Sequence, residues 1–141
     1  MWRFGATYCA AGIAVISSDD QRLFVPALQL FGQSIELLLK AFLLKRGTTL
    51  QDLKRMSHGL SSLLSEARRR RLGTCVKLSK KECEAIYVLS ETYSSNRLRY
   101  LVSGTVRFPL PGVIESAARQ LANGLELYCT GIRRGVFPNA A

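Results

Sequence analysis

The sequence predicts an all-α protein, an antiparallel up-and-down bundle of four to five helices in a single domain over residues 1–141. Three observations predict it. Five segments repeat apolar residues at helical spacing, and none alternates apolar with polar residues as a half-buried strand would. The connections between these segments are short and carry Gly, Pro or capping residues. With 141 residues and 48% hydrophobic content, the chain can bury a core of its own.

The first helix covers residues 3–16. Its basic start and mild hydrophobicity resemble a weak signal peptide, but Tyr8 and the glycines Gly5 and Gly12 dilute the apolar run, which is also too short to span a bilayer. Asp19 or Asp20 can cap the second helix, which tolerates Pro26 only in its first turns. That helix continues to Arg46 and stops at Gly47. Its apolar run, Leu23 to Leu44, is interrupted by Pro26, Gln29, Gln33, Glu36 and Lys40, which reads against a membrane span.

Thr49 caps a short helical turn at Leu50-Gln51-Asp52. Leu60, Leu63, Leu64 and Ala67 share one face of the next helix, which closes in Arg68 to Arg71 and Gly73. Ser79-Lys80-Lys81-Glu82 is a capping box, opening a helix with Cys83, Ile86, Leu89 and Tyr93 on its inner face. Residues 96–112 break the pattern and read as a loop. The last helix starts near Pro111 and aligns Ile114, Ala117, Ala118, Leu121, Leu125, Tyr128 and Ile132 on one stripe.

Charge narrows the function. Twenty basic against ten acidic residues give a net charge of +10 and a pI near 10.0. Such a surface suits nucleic acid, nucleotides or an acidic partner, and equally serves solubility. The four cysteines form no CxxC pair and there is one histidine, so a zinc site is not expected. The cysteines read as free thiols of a reducing cytosol, with a Cys75–Cys83 disulfide as the alternative. No GxSxG elbow, GxxxxGK phosphate loop, dinucleotide glycine fingerprint or paired carboxylates occur. No metal and no cofactor are expected.

Candidate site residues fall in three places. Gln29, Gln33, Glu36 and Lys40 form one polar stripe on the otherwise apolar second helix. Gln33, Glu36 and Lys40 are expected to make a partly buried seam to which Arg97 or Arg99 reaches. The Glu36–Lys40 order favours an i,i+4 ion pair, so a simple pair at the rim of the core is the competing reading. His58 sits where a helix starts and reads as an interhelical hydrogen-bonding group. The basic residues cluster at 68–71 with Lys77, Lys80 and Lys81, and again at Arg97, Arg99 and Arg107 among Tyr93, Tyr100 and Phe108. Arginines interleaved with aromatics suit phosphate pairing with base stacking, or a clamp onto Glu36.

Three ordered segments resemble the HEPN (higher-eukaryote and prokaryote nucleotide-binding) domain family. They are IELLLKAFLLKRG at 35–47 after Pro26, SHGLSSLLSEA at 57–67, and NRLRYLVSG at 96–104. The resemblance covers roughly residues 20–130. It implies a helical bundle that commonly dimerises and places Glu36, Lys40 and His58 close together. Family members include RNA-cleaving toxins and non-enzymatic domains proposed to bind nucleotides or assemble with partners. The ribonuclease members carry Arg followed after four to six residues by His. Here Gln51, Asp52 and Leu53 stand where that arginine would precede His58, and no histidine follows Arg97. The expectation is a cytoplasmic, non-catalytic HEPN-like homodimer that binds nucleotide or RNA through a basic groove containing Lys40, His58, Arg97, Arg99 and Tyr100. A toxin–antitoxin or defence setting, with an antitoxin or nucleotidyltransferase partner and no membrane, goes with it. A ribonuclease toxin with an atypical site around His58, Arg97, Arg99 and Tyr100, and a structural partner-binding module, are the alternatives.

Overall fold

The computed structural model describes residues 1–56, 59–93 and 108–137. Among them are six α-helices and no strand: α1 (Trp2–Ile16), α2 (Phe24–Lys45), α3 (Leu50–Met56), α4 (Leu60–Arg69), α5 (Lys80–Tyr93) and α6 (Pro111–Thr130). Five of them have ten or more residues, and the sixth is the seven-residue α3, an extension of the turn expected after Thr49.

The helix ends follow local chemistry. The Asp20 carboxylate accepts the Arg22 backbone N–H at 3.0 Å and opens a 3₁₀ turn, Gln21–Leu23, that leads into α2. Pro26 is the third residue of α2, where its missing N–H leaves no intrahelical bond unmade. Gly47, at φ +98°, takes the chain out of α2. The Asp52 N–H donates to Thr49 Oγ1 at 3.1 Å. The capping box closes in both directions, Glu82 N–H to Ser79 Oγ at 3.1 Å and Ser79 N–H to Glu82 Oε1 at 2.9 Å. One terminator differs from expectation. Arg71, not Gly73, takes the left-handed conformation after α4, at φ +67°, while Gly73 lies inside the 3₁₀ turn Leu72–Thr74.

α2 is the central helix. It packs against α1, α4, α5 and α6, and Leu28, Phe31, Ile35, Leu38, Leu39 and Phe42 are fully buried along it. α1 runs antiparallel to α2 at close range, with Gly5 facing Leu38 and Gly12 facing the ring of Phe31. Ser34 Oγ donates to the Gly5 carbonyl at 2.6 Å between the two helices. Trp2 fastens α1 to α6, its indole N–H donating to the Ala122 carbonyl at 3.0 Å. The ring of Phe42 meets Tyr128, which places the C-terminal ends of α2 and α6 together.

Length and composition alone would let Gln21–Lys45 cross a membrane, so the interrupting polar residues do not disqualify it by themselves. Inside this fold, 67% of its most apolar window is buried. The same packing buries part of the apolar stripe of α6. Leu125 is fully buried and Tyr128 packs on Phe42 within one chain, whereas Ile132, beyond the end of α6, is exposed.

All four cysteines are free thiols, so the Cys75–Cys83 disulfide is not formed. Burial pushes the Cys9 thiol up to about 12 and Cys129 up to about 11, and raises Cys83 as well. Thiolates are the reactive species. A maleimide added to native protein at neutral pH should therefore label Cys75 first and leave Cys9 unlabelled, as read by peptide mass mapping. Early labelling of Cys9 would contradict the packing of α1 on α2.

Candidate functional site

Two polar assemblies stand out. The first lies on α2 and is built by spacing. Gly32, Glu36 and Lys40 recur every fourth residue, so they stack along one face. The missing side chain at Gly32 leaves room for the ring of Tyr93 from α5, which a Cβ there would meet at 2.7 Å. That seat aims the Tyr93 hydroxyl at Glu36 Oε1, to which it donates at 2.7 Å. Lys40 Nζ donates to the other oxygen, Oε2, at 2.8 Å. Glu36 is 6% exposed. Glu36 and Lys40 are thus paired at a partly buried position, and Tyr93 and Lys40 engage one Glu36 oxygen each. Gln33, expected in the same seam, makes no side-chain hydrogen bond among the described residues. Arg97 and Arg99, expected to reach Glu36, together with His58 and Tyr100, lie outside the described residues. Of the expected ligand-binding set only Lys40 is described, and its ammonium faces Glu36.

The second assembly is electrostatic, at the end of the bundle where α2, α4 and α6 finish. Arg46, just past α2, sets its guanidinium over the adjoining rings of Phe42 and Tyr128, 5.0 Å from each centroid. Its Nη2 donates to Thr74 Oγ1 at 2.9 Å and to the Arg71 carbonyl at 3.3 Å. This ties the turn after α4 to the end of α2 and so fixes where the four consecutive arginines sit. Arg68, Arg69, Arg70 and Arg71 are all exposed, and so are Lys45 and Lys77. Arg68 and Lys77 flank a groove of about 430 Å³ whose lining includes Leu72, Val76 and Cys83.

The carboxylates near this end include Glu66, Glu82 and the exposed Glu84, whose charge reaches Cys83 as Arg68 does. Glu66 accepts from Arg69 at 2.7 Å and Arg70 at 3.1 Å, and these two guanidinium groups hold its carboxyl below the usual carboxylate range. Glu82 is occupied by the capping box and by Ser116, whose hydroxyl donates to it at 2.9 Å. Glu126, 2% exposed, accepts the backbone N–H groups of Arg134 at 2.8 Å and Gly135 at 3.1 Å. Arg68, Arg71, Lys45 and Lys77 have no carboxylate partner among the described residues.

The sequence located the 68–71 cluster with Lys77 but missed Arg46, Tyr93 as the partner of Glu36, and the arginines of the tail, Arg133 and Arg134. Arg46 lay in plain view as the last charged residue before Gly47. What hid its role is that both stacking rings and both acceptors come from other elements, or from a turn away. The glycine four residues before Glu36 was the one local signal for an aromatic seated there.

Neither a protein-family model, nor a curated protein, nor a solved structure matches this chain.

Proposed function

We propose that the chain is a non-catalytic, HEPN-like helical domain that binds nucleic acid through its basic end. One observation carries the reading: the exposed cations Lys45, Arg68, Arg71 and Lys77, which have no carboxylate partner among the described residues, are gathered beside two further arginines on a turn anchored by Arg46. Phosphate contacts need positive charge at a fixed place and no base-specific geometry. Guanidinium groups suit them through paired N–H donors. The reading keeps the nucleic-acid expectation of the resemblance and moves the contact surface to the end of α4. It stays non-catalytic because the sequence lacks the Arg-to-His spacing of the ribonuclease members, while Glu36, Lys40 and Tyr93 engage one another inside the bundle.

Arg71 gives this reading a test separable from stability. A left-handed backbone costs a residue with a Cβ roughly 1 kcal/mol, and glycine escapes that cost. Arg71→Gly should unfold at the same or a higher denaturant concentration, yet bind a fluorescein-labelled single-stranded RNA oligonucleotide about five- to tenfold more weakly. Lys54→Gln with Arg55→Gln on α3 removes two exposed charges elsewhere and should weaken binding less. Equal RNA affinity for wild type and Arg71→Gly would remove the α4 turn from the contact surface.

A further inference from the structure

A second groove, of about 500 Å³, lies between the start of α1, the end of α6 and the tail that follows α6. Its volume falls within the range of small-molecule pockets. Trp2, Ala6, Ala10, Ile132 and Val136 give it an apolar lining, and Arg3 and Arg134 stand at its walls. The tail forms one side because it is strapped down at two points. Asn123 exchanges two hydrogen bonds with the Phe137 backbone, at 2.8 and 3.2 Å, and Glu126 holds the N–H groups of Arg134 and Gly135. Glu126 also borders the groove, but its two oxygens are turned to the tail, and neither Arg3 nor Arg134 has a carboxylate partner among the described residues. The apolar character continues outside the groove, where Phe4 is 67% exposed.

We propose that this groove binds a small anionic amphiphile of the fatty-acid class. Its acyl chain lies along Trp2, Ala6 and Ala10, and its carboxylate faces Arg3 and Arg134. Charge complementarity selects the occupant: an apolar trough with two unpaired guanidinium groups at its walls favours an apolar body with one anionic head. A cationic amphiphile of the same length meets like charge. The site is separate from the α4 turn and does not depend on nucleic-acid binding.

Trp2 is the single tryptophan of the chain and lines the groove, so its fluorescence reports occupancy directly. Titrating the full chain with decanoate below its micellar concentration should give a saturable change in emission, and decyltrimethylammonium should bind at least about tenfold more weakly. Ala10→Phe, which fills the groove from an exposed position, should abolish the decanoate response while leaving RNA affinity and the unfolding midpoint unchanged. Arg3→Glu combined with Arg134→Glu should retain the fold and lose most of the decanoate affinity. Equal response to the two amphiphiles, an unaltered response in Ala10→Phe, or a response only to anionic vesicles and none to monomeric decanoate would overturn the proposal.

Discussion

Glu36→Ala should lower the free energy of unfolding by about 3–4 kcal/mol, one of the two largest effects expected in this protein. The carboxylate is buried and takes one hydrogen bond from Tyr93 and one from Lys40. Its removal leaves a phenol and an ammonium without their shared acceptor and opens space between α2 and α5. Glu36→Gln keeps the volume, and its amide can still accept from Lys40 and donate to the Tyr93 oxygen, but the ammonium loses its paired carboxylate, so about 1–3 kcal/mol should still be lost. Tyr93→Phe removes the hydrogen bond to a charged acceptor and should cost about 1.5–3 kcal/mol. Lys40→Met should cost least, because the lysine side chain is 17% exposed and reaches the edge of the bundle. Urea unfolding of the four variants checks this order. Small and equal losses would describe a solvated surface pair.

The second large effect concerns binding. Replacing Arg68, Arg71 and Lys77 together with glutamine should weaken single-stranded RNA binding by about a hundredfold or more at low salt, since every phosphate deprived of its cation releases one counterion fewer. All three side chains are exposed, so the fold should survive, and unchanged helical circular dichroism would establish that. A mere loss of solubility charge would leave affinity for RNA where it was.

These two expectations drew on the sequence to different degrees. The fold was legible almost throughout because its determinants are local. Capping at Asp20, Thr49 and Ser79–Glu82 is a matter of residues two or three apart, and the apolar stripes of α4 and α6 are matters of period. The Glu36–Lys40 pair was legible for the same reason. Its third member was not, since Tyr93 lies 57 residues from Glu36 and only packing brings it across Gly32. Charge on the α4 turn was legible as composition, whereas its anchoring by Arg46, 25 residues before Arg71, depends on how α2 and α4 end side by side. Arg71 ran against expectation because the neighbouring glycine is the residue that tolerates a left-handed turn best. In the fold the chain turns two residues earlier, where the Arg71 carbonyl meets both Arg46 and the Thr74 hydroxyl.

The salt dependence of RNA binding tests the central claim most directly. Fluorescence anisotropy of the intact chain with a single-stranded RNA, repeated across a series of potassium chloride concentrations, yields the slope of log affinity against log salt. A surface that engages four or five phosphates should give a slope of about −3 to −3.5, and the triple glutamine variant should flatten it to about −1. Absence of binding at low salt, or a slope the triple variant leaves unchanged, would contradict the account.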